Sequence, residues 1–160
     1  MMQHDYPCRL PRVLTDGQPA ARALLRGGGA TPDLRGEVLF YPFQEGSLLL
    51  VRALGLPGDG FFALHVHSLG DCCEGGDLPF YCAGDHFNPT GAAHPGHAGD
   101  LPVLLSSGGR AFAVEYTGRF RPEEVLGRSV SIPEGPDDYR SQPGGGAGGR
   151  IACGIITPMA

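Results

Sequence analysis

Runs of apolar residues recur along the chain at short intervals, and clusters of glycine and proline separate them. Runs of this kind, bounded by turn residues, are typical of β-strands. We predict eight strands, at Ala21–Leu25, Gly36–Tyr41, Ser47–Leu54, Phe61–His67, Leu101–Leu105, Ala111–Tyr116, Ser129–Ile132 and Ile151–Thr157. One helical turn is predicted at Pro122–Leu126, because proline is tolerated in the first turn of a helix. The pattern therefore indicates an all-β sandwich or barrel.

Two long segments without such runs interrupt the strands. Gly70–Asp100 and Pro133–Gly149 are rich in turn residues, and loops of this length inside a compact domain are commonly functional. We interpret both as site-forming loops on a β scaffold. Residues 1–19 contain three prolines and predict a poorly anchored N-terminal arm, which leaves residues 20–160 as one domain.

The composition narrows the class of function. The 160 residues carry a net charge of −5 at pH 7, and every basic side chain except histidine is an arginine, because the chain contains no lysine. A weakly acidic surface disfavours nonspecific binding to nucleic acids and to anionic membranes. The sequence also lacks a long apolar stretch and the apolar core of a signal peptide. We therefore expect a cytoplasmic protein that binds neither nucleic acid nor membrane.

The histidines are concentrated in one part of the chain. Five of the six lie between residues 65 and 97, and neutral imidazole is the commonest metal ligand in proteins. On the fourth predicted strand, the two-residue period places His65 and His67 on one face. The opposite face carries Phe62, Leu64 and Val66. Taken alone, the histidine pair is more simply interpreted as two polar residues on a solvated strand face.

A second histidine group changes that interpretation. It lies in the first long loop and consists of His86, His94, His97 and Asp100. Three nitrogens and one carboxylate oxygen form a donor set that suits tetrahedral Zn²⁺. The alternative, a generic immunoglobulin-like β module, would not explain why the histidines cluster.

Longer motifs carry a resemblance to a known family. The segments HVHSLGDC (65–72), HFNPTGAAHPGHAGDLP (86–102), PDD (136–138) and GGRIACG (148–154) occur in this order. Together they resemble the copper/zinc superoxide dismutases, from about Ala20 to the C-terminus. The resemblance implies an eight-stranded antiparallel Greek-key β-barrel with an immunoglobulin-like sandwich architecture. It also implies an antioxidant oxidoreductase that converts superoxide to O₂ and H₂O₂ by redox cycling at copper beside a zinc site.

The resemblance also implies a role for each site residue. It implies copper ligands at His65, His67 and His86, and zinc ligands at His86, His94, His97 and Asp100. His86 would bridge the two metals, and Arg150 would guide superoxide; these two are the implied catalytic residues. Asp137 would link a copper histidine to a zinc histidine. The implied partners are the superoxide anion and, in a homodimer, a second copy of the chain.

One position departs from the family pattern. The family has its fourth copper ligand, a histidine, four residues before the first aspartate of the Asp-Asp pair, and here that residue is Pro133. Proline offers no side-chain donor, and no histidine follows His97. Cu(II) prefers four tetragonal ligands, whereas Cu(I) accepts three, so we expect a site that favours Cu(I) and has impaired activity. The alternatives are an inactive zinc-stabilised barrel and a copper(I)-binding protein. His4 is a further candidate for the replacement ligand.

The chain contains five cysteines. The resemblance implies a disulfide bond between Cys153 and Cys72, after which Cys73 and Cys82 could form a second one and leave Cys8 free. Because Cys72 and Cys73 are adjacent, the sequence alone leaves the connectivity open. A thiol-based redox or metal site, made of Cys72, Cys73 and Cys82 with zinc, is the alternative.

Overall fold

The computed structural model describes residues 12–75 and 78–160. Within them the chain forms nine strands: β1 (Ala21–Gly27), β2 (Arg35–Phe43), β3 (Gly46–Leu54), β4 (Gly60–Phe62), β5 (His65–His67), β6 (Leu104–Ser106), β7 (Arg110–Thr117), β8 (Ser129–Pro133) and β9 (Arg150–Pro158). Two 3₁₀ turns lie at Tyr81–Ala83 and Pro122–Val125. No helix in this part of the chain is long and apolar enough to cross a membrane. The all-β prediction is confirmed.

The strands form one large curled sheet and one small ribbon. Seven strands follow the order β5-β8-β9-β1-β2-β3-β7, and β4 pairs with β6. Every strand pairing among the described residues is antiparallel. β5 and β8 are neighbours although β6 and β7 lie between them in sequence. The first predicted site-forming loop connects β5 to β6, and the second connects the neighbouring strands β8 and β9.

The core lies inside the curled sheet and follows the two-residue strand period. In β1, Ala21, Ala23 and Leu25 are buried, while the residues between them are exposed. The fully buried rings of Phe40 and Phe120 pack with their centroids 6.4 Å apart. Complete burial of one such side chain stabilises the fold by about 1.5–3 kcal/mol. This packed interior makes the barrel wall a rigid support for the loops.

The strand predicted at Phe61–His67 is wrong as a single element. It divides into β4 and β5 because the chain changes its pairing partner, from β6 to β8. At the break, the N–H of Ala63 donates to the carbonyl of Gly135 at 2.9 Å. The carbonyl of Leu64 accepts a hydrogen bond from the N–H of Leu101 at 3.3 Å. The described chain therefore has nine strands where eight were predicted.

Other element boundaries differ by smaller amounts. The strand predicted from Leu101 begins at Leu104. The predicted helical turn is a 3₁₀ turn that ends at Val125. The 3₁₀ turn Tyr81–Ala83 in the first long loop was not predicted. Short elements of this kind are fixed by tertiary contacts more than by local propensity.

Part of the predicted N-terminal arm is anchored. Residues 1–11 lie outside the described residues, and residues 12–15 form one helical turn. Val13 and Leu14 pack on a cluster on the outer face of β2 and β3 that includes Tyr41 and Leu48. Residues 12–15 are therefore attached to the sheet, contrary to the expectation of a poorly anchored arm. The domain boundary at residue 19 stays a prediction.

A buried carboxyl group faces the core from the edge strand β7. Glu115 pairs with Leu49 of β3 and is only 8% exposed. Its Oε2 atom has no hydrogen-bond partner. Because burial disfavours the charged form, the pKa of Glu115 is raised to about 8.

We expect Glu115→Gln to remove a pH-dependent loss of stability. The folded chain keeps this proton up to about pH 8, whereas the unfolded chain releases it near pH 4.5, so wild-type stability falls as pH rises between these values. Above about pH 8 the glutamine variant should be more stable by roughly 3–5 kcal/mol. Urea unfolding across this pH range measures the difference. Glu123→Gln, at an exposed glutamate, is the control, and parallel profiles for wild type and Glu115→Gln would contradict the assignment.

Candidate metal centre

Strand β5 carries two histidines to the same side of the barrel wall. Its pairing with β8 places Ser131 opposite His65 and Ser129 opposite His67. Both histidines are only 1% exposed, because the first long loop covers them. The interpretation of a solvated histidine face is therefore wrong. The core-facing residues are those predicted, Phe62, Leu64 and Val66.

The first long loop is fixed to β5 by backbone contacts. His86 forms an isolated β-bridge with His67, and Asp100 forms one with His65. The close approach requires Gly99, because a Cβ there would lie 2.2 Å from a carbonyl oxygen of β5. Backbone pairing thus brings residues distant in sequence beside the strand histidines.

Four side chains of this loop converge on one point. They are His86, His94, His97 and Asp100, and their donor atoms all lie within 4.8 Å of one another. One carboxylate oxygen of Asp100 is 2.7 Å from Nδ1 of His86 and 3.3 Å from Nδ1 of His97. Burial alone would raise the pKa of Asp100, but the hydrogen bond and charges of the neighbouring histidines lower it to about 2. The group is therefore a carboxylate at neutral pH.

The ring of His94 indicates that these four residues fit a cation. Its Nε2 lies 2.9 Å from a carboxylate oxygen of Asp137, which can only accept, so Nε2 carries the proton. Nδ1 then presents a lone pair that is buried and has no hydrogen-bond partner. Nδ1 of His94 lies 3.1 Å from Oδ2 of Asp100. Two buried electron-rich atoms that face each other repel, and a cation between them removes the repulsion, so this donor set fits Zn²⁺.

A second donor set shares one histidine with the first. It consists of His65, His67 and His86, again with all donor atoms within 4.8 Å. The ring centroid of His86 lies 4.0 Å from that of His65 and 5.0 Å from that of His67. Burial is the main cause that lowers the pKa of His65 to about 4 and that of His67 to about 3. The strand imidazoles are therefore neutral and can act as ligands.

Asp137 connects the two donor sets. Its Oδ2 lies 2.7 Å from Nε2 of His65, and its Oδ1 lies 2.9 Å from Nε2 of His94. The backbone N–H of Tyr139 donates to Oδ1 at 2.7 Å. Burial alone would raise the pKa of Asp137, but these hydrogen bonds outweigh it and lower the pKa. A carboxylate in this position fixes the tautomer and orientation of both rings.

A cavity of about 680 Å³ opens over the three-histidine set. Pro133 lines it, at a bulge in β8 where it pairs with Arg150. The guanidinium of Arg150 donates to the carbonyls of Phe80 and Gly84, at 2.5 and 2.6 Å. The positive charge of Arg150 is therefore held in place on the cavity wall beside Pro133, whose side chain offers no metal donor.

The described cysteines form two disulfide bonds. Cys72 is bonded to Cys153, and Cys73 to Cys82. These are the pairings that were expected. The alternative zinc site of Cys72, Cys73 and Cys82 is wrong, because all three sulfurs are already in disulfides. His4 and Cys8 lie outside the described residues.

Residues that connect the loops were not predicted. The amide of Gln142, in the second long loop, accepts from the N–H of His94 at 3.0 Å and donates to its carbonyl at 2.7 Å. Nη1 of Arg119 donates to the carbonyls of Pro95 and His97, both at 2.8 Å. No motif marks these residues, because their partners are backbone groups whose positions depend on the path of the loop.

Comparison with known proteins identifies the family. A family model described as copper/zinc superoxide dismutase (SODC) matches residues 34–156. The chain belongs to the copper/zinc superoxide dismutase family. It is 35% identical to superoxide dismutase [Cu-Zn] of Deinococcus radiodurans over an alignment of 162 positions, gaps included. The alignment covers 89% of this chain and 87% of that protein.

Two further comparisons extend this result. The chain is 37% identical over 155 residues to the copper chaperone for superoxide dismutase of Mus musculus, covering 88% of this chain and 54% of that protein. The solved Cu/Zn superoxide dismutase from Brucella abortus matches with a TM-score of 0.73 and 27% identity, covering 84% of this chain and 98% of that one. The predicted family and its Greek-key β-barrel fold are confirmed.

We expect Gly145→Ala to disrupt the link between the donor sets. Gly145 has a φ of +71°, and a Cβ there would lie 2.0 Å from Oδ1 of Asp137 and 2.9 Å from Nε2 of His94. Gly91→Ala is the matched control, because Gly91 has a φ of +66° but no atom within 4 Å of its Cβ position. The clash should cost about 1–3 kcal/mol more than the control substitution. Urea unfolding measures both losses, and equal losses would contradict the close packing around Asp137.

Proposed function

We propose that this chain is a superoxide dismutase-like metalloprotein with a complete zinc site, an incomplete copper site and impaired activity. The main support for this proposal is that His86 belongs to two donor sets, of which only one has four members. Pro133 lies on the wall of the smaller set and contributes no donor. Membership of the copper/zinc superoxide dismutase family supports the choice of metals.

The four-residue set would hold Zn²⁺. It combines one carboxylate with three imidazoles, and a net negative donor set favours a divalent cation in a buried site. Because its members come from one loop that is bridged to β5, a bound ion would lock this loop onto the barrel wall. Zinc binding should therefore stabilise the folded state directly.

The three-histidine set would hold copper. When bound, copper supplies the one-electron redox chemistry that converts superoxide to O₂ and H₂O₂. Three neutral imidazoles suit Cu(I) better than Cu(II), which prefers a fourth ligand in a tetragonal arrangement. The expected consequence is slow turnover, because the oxidised ion is the poorly bound one.

Two residues would take part in catalysis. Arg150 presents a positive charge at the cavity wall, and such a charge attracts the superoxide anion. His86 directs Nδ1 towards Asp100, at 2.7 Å, which leaves Nε2 for the copper side. We assign His86 its catalytic role as the shared ligand, because its Nε2 would hold copper, which supplies the redox chemistry, while its Nδ1 would hold zinc.

A copper(I)-binding protein without turnover is the second candidate. The missing donor at Pro133 favours it. The match to the copper chaperone of Mus musculus, which covers 88% of this chain at 37% identity, also favours it.

A homodimer and a cytoplasmic location also stay proposals. Two disulfide bonds among the described residues are more typical of an oxidising compartment than of the cytoplasm.

We expect Pro133→His to raise Cu(II) affinity and dismutation rate. The substitution adds an imidazole to the cavity wall beside the strand histidines, and changes around a metal site alter affinity by about 10–100-fold. The assay uses purified protein loaded with equimolar copper and zinc, with metal content measured on the same samples. Pro136→His, at an exposed proline of the same loop, is the matched control.

The outcomes of this experiment separate the candidates. A slow wild type with bound copper and a faster Pro133→His variant supports the impaired dismutase. Wild-type protein that binds copper as Cu(I) but shows no dismutation supports the second candidate. Wild-type protein that retains zinc alone after copper loading supports an inactive zinc-stabilised barrel. Equal rates in wild type and Pro133→His at stoichiometric copper would contradict the proposal that a fourth ligand is missing.

We expect Arg119→Gln to weaken zinc binding. Arg119 donates to two carbonyls of the zinc-ligand loop, and hydrogen bonds from a charged donor are stronger than neutral ones. Their loss should lower zinc affinity by about tenfold. Competition with a chromogenic chelator measures the affinity. Arg110→Gln, at an exposed arginine of β7, should leave the affinity unchanged; an equal effect of both variants would contradict the role of Arg119.

A further inference from the structure

A serine of β8 makes a hydrogen bond to one of the strand histidines. Ser131 is completely buried, and its Oγ lies 2.8 Å from Nε2 of His67. The Nδ1 atom of the same ring lies 2.8 Å from the carbonyl oxygen of Gly84. A carbonyl can only accept, so Nδ1 carries the ring proton and Nε2 holds the lone pair. The Ser131 hydroxyl therefore donates to this lone pair.

This lone pair is the one that His67 can offer to a metal ion. Nδ1 is committed to Gly84, whose carbonyl also accepts from Arg150 at 2.6 Å, so the ring cannot turn around without loss of that contact. A hydroxyl proton and a metal ion cannot occupy one lone pair together. A metal ion that binds His67 must therefore displace Ser131.

The position of Ser131 in the sheet makes this competition a local feature of the copper pocket. Ser131 lies directly opposite His65 across β5 and β8. It lies two residues before Pro133 in the same strand. The pocket thus has a proline where a ligand is missing and, beside it, a hydroxyl that competes for one of the three remaining nitrogens.

We propose, building on the three-histidine copper pocket proposed above, that Ser131 makes this pocket a site for exchangeable copper(I). The Ser131 hydroxyl takes back the lone pair of His67 as the ion leaves. Recapture stabilises the released pocket, so it lowers the affinity and speeds transfer of the ion to an accepting thiol or imidazole ligand. The zinc set does not contain His67, so its affinity is independent of Ser131.

Removal of the Ser131 hydroxyl tests the proposal. In Ser131→Ala, loss of one competing hydrogen bond should tighten Cu(I) binding by about 2- to 10-fold and slow its release by a similar factor. Ser129→Ala is the matched control, because Ser129 is equally buried in the same strand but donates to the carbonyl of Leu69 at 2.6 Å. Cu(I) affinity and release are measured on the full chain with zinc bound, in competition with bicinchoninate.

Each result has a distinct meaning. Tighter and slower binding in Ser131→Ala alone, with zinc affinity unchanged, supports the proposal. Unchanged or weaker Cu(I) binding in Ser131→Ala overturns it while leaving the copper pocket intact; weaker binding would show that the hydroxyl is itself a ligand. Failure of wild type and both variants to bind Cu(I) overturns the pocket and the proposal together.

A second measurement needs no copper. Long-range ¹H–¹⁵N spectra of the imidazoles report which ring nitrogen of His67 carries the proton and whether the other accepts a hydrogen bond. Wild type should show a proton on Nδ1, and the Nε2 resonance should shift in Ser131→Ala but not in Ser129→Ala. A proton on Nε2, or an Nε2 resonance insensitive to Ser131→Ala, would overturn the competition.

Discussion

The carboxylate of Asp137 is the interaction on which the geometry of the site depends. It hydrogen-bonds at the same time to a histidine on β5 and to a histidine in the first long loop. Each bond fixes a proton on Nε2 of its ring and directs the Nδ1 lone pair the other way. Because the group is buried, water does not compete strongly for these bonds. One side chain of the second loop thereby orients ligands in two other segments.

The two donor sets differ in charge, and this difference supports the metals proposed for them. One set contains the carboxylate of Asp100, whereas the other consists of three imidazoles. A carboxylate favours a divalent cation in a buried site, and neutral imidazoles accept a monovalent one at a smaller electrostatic disadvantage. Under this proposal, Pro133 leaves the three-histidine set without a fourth ligand and does not affect the other set. The barrel and the proposed zinc site would then persist while the proposed copper site changes its function.

The sequence predicted the site better than it predicted the contacts that support it. The strand period placed His65 and His67 together, since it is a local property of the backbone. The loop donor set came from the clustering of histidines in one segment, whereas Asp137 came from the family resemblance. The division of Phe61–His67 was missed because a continuous apolar run does not show a change of pairing partner. Ser131 and Arg119 were missed because their roles depend on groups more than 20 residues away in sequence. For Ser131 one signal was available, since it lies two residues before Pro133 in the same strand.

Anomalous diffraction at the zinc and copper absorption edges tests this account most directly, on crystals of protein loaded with both metals. We expect a zinc peak among the donor atoms of His86, His94, His97 and Asp100, with Asp137 still bridging the two rings. We expect a copper peak bounded by three imidazole nitrogens and no fourth nitrogen from the protein. Imidazoles that point apart, zinc bound elsewhere, or a copper ion with four protein nitrogens would contradict it.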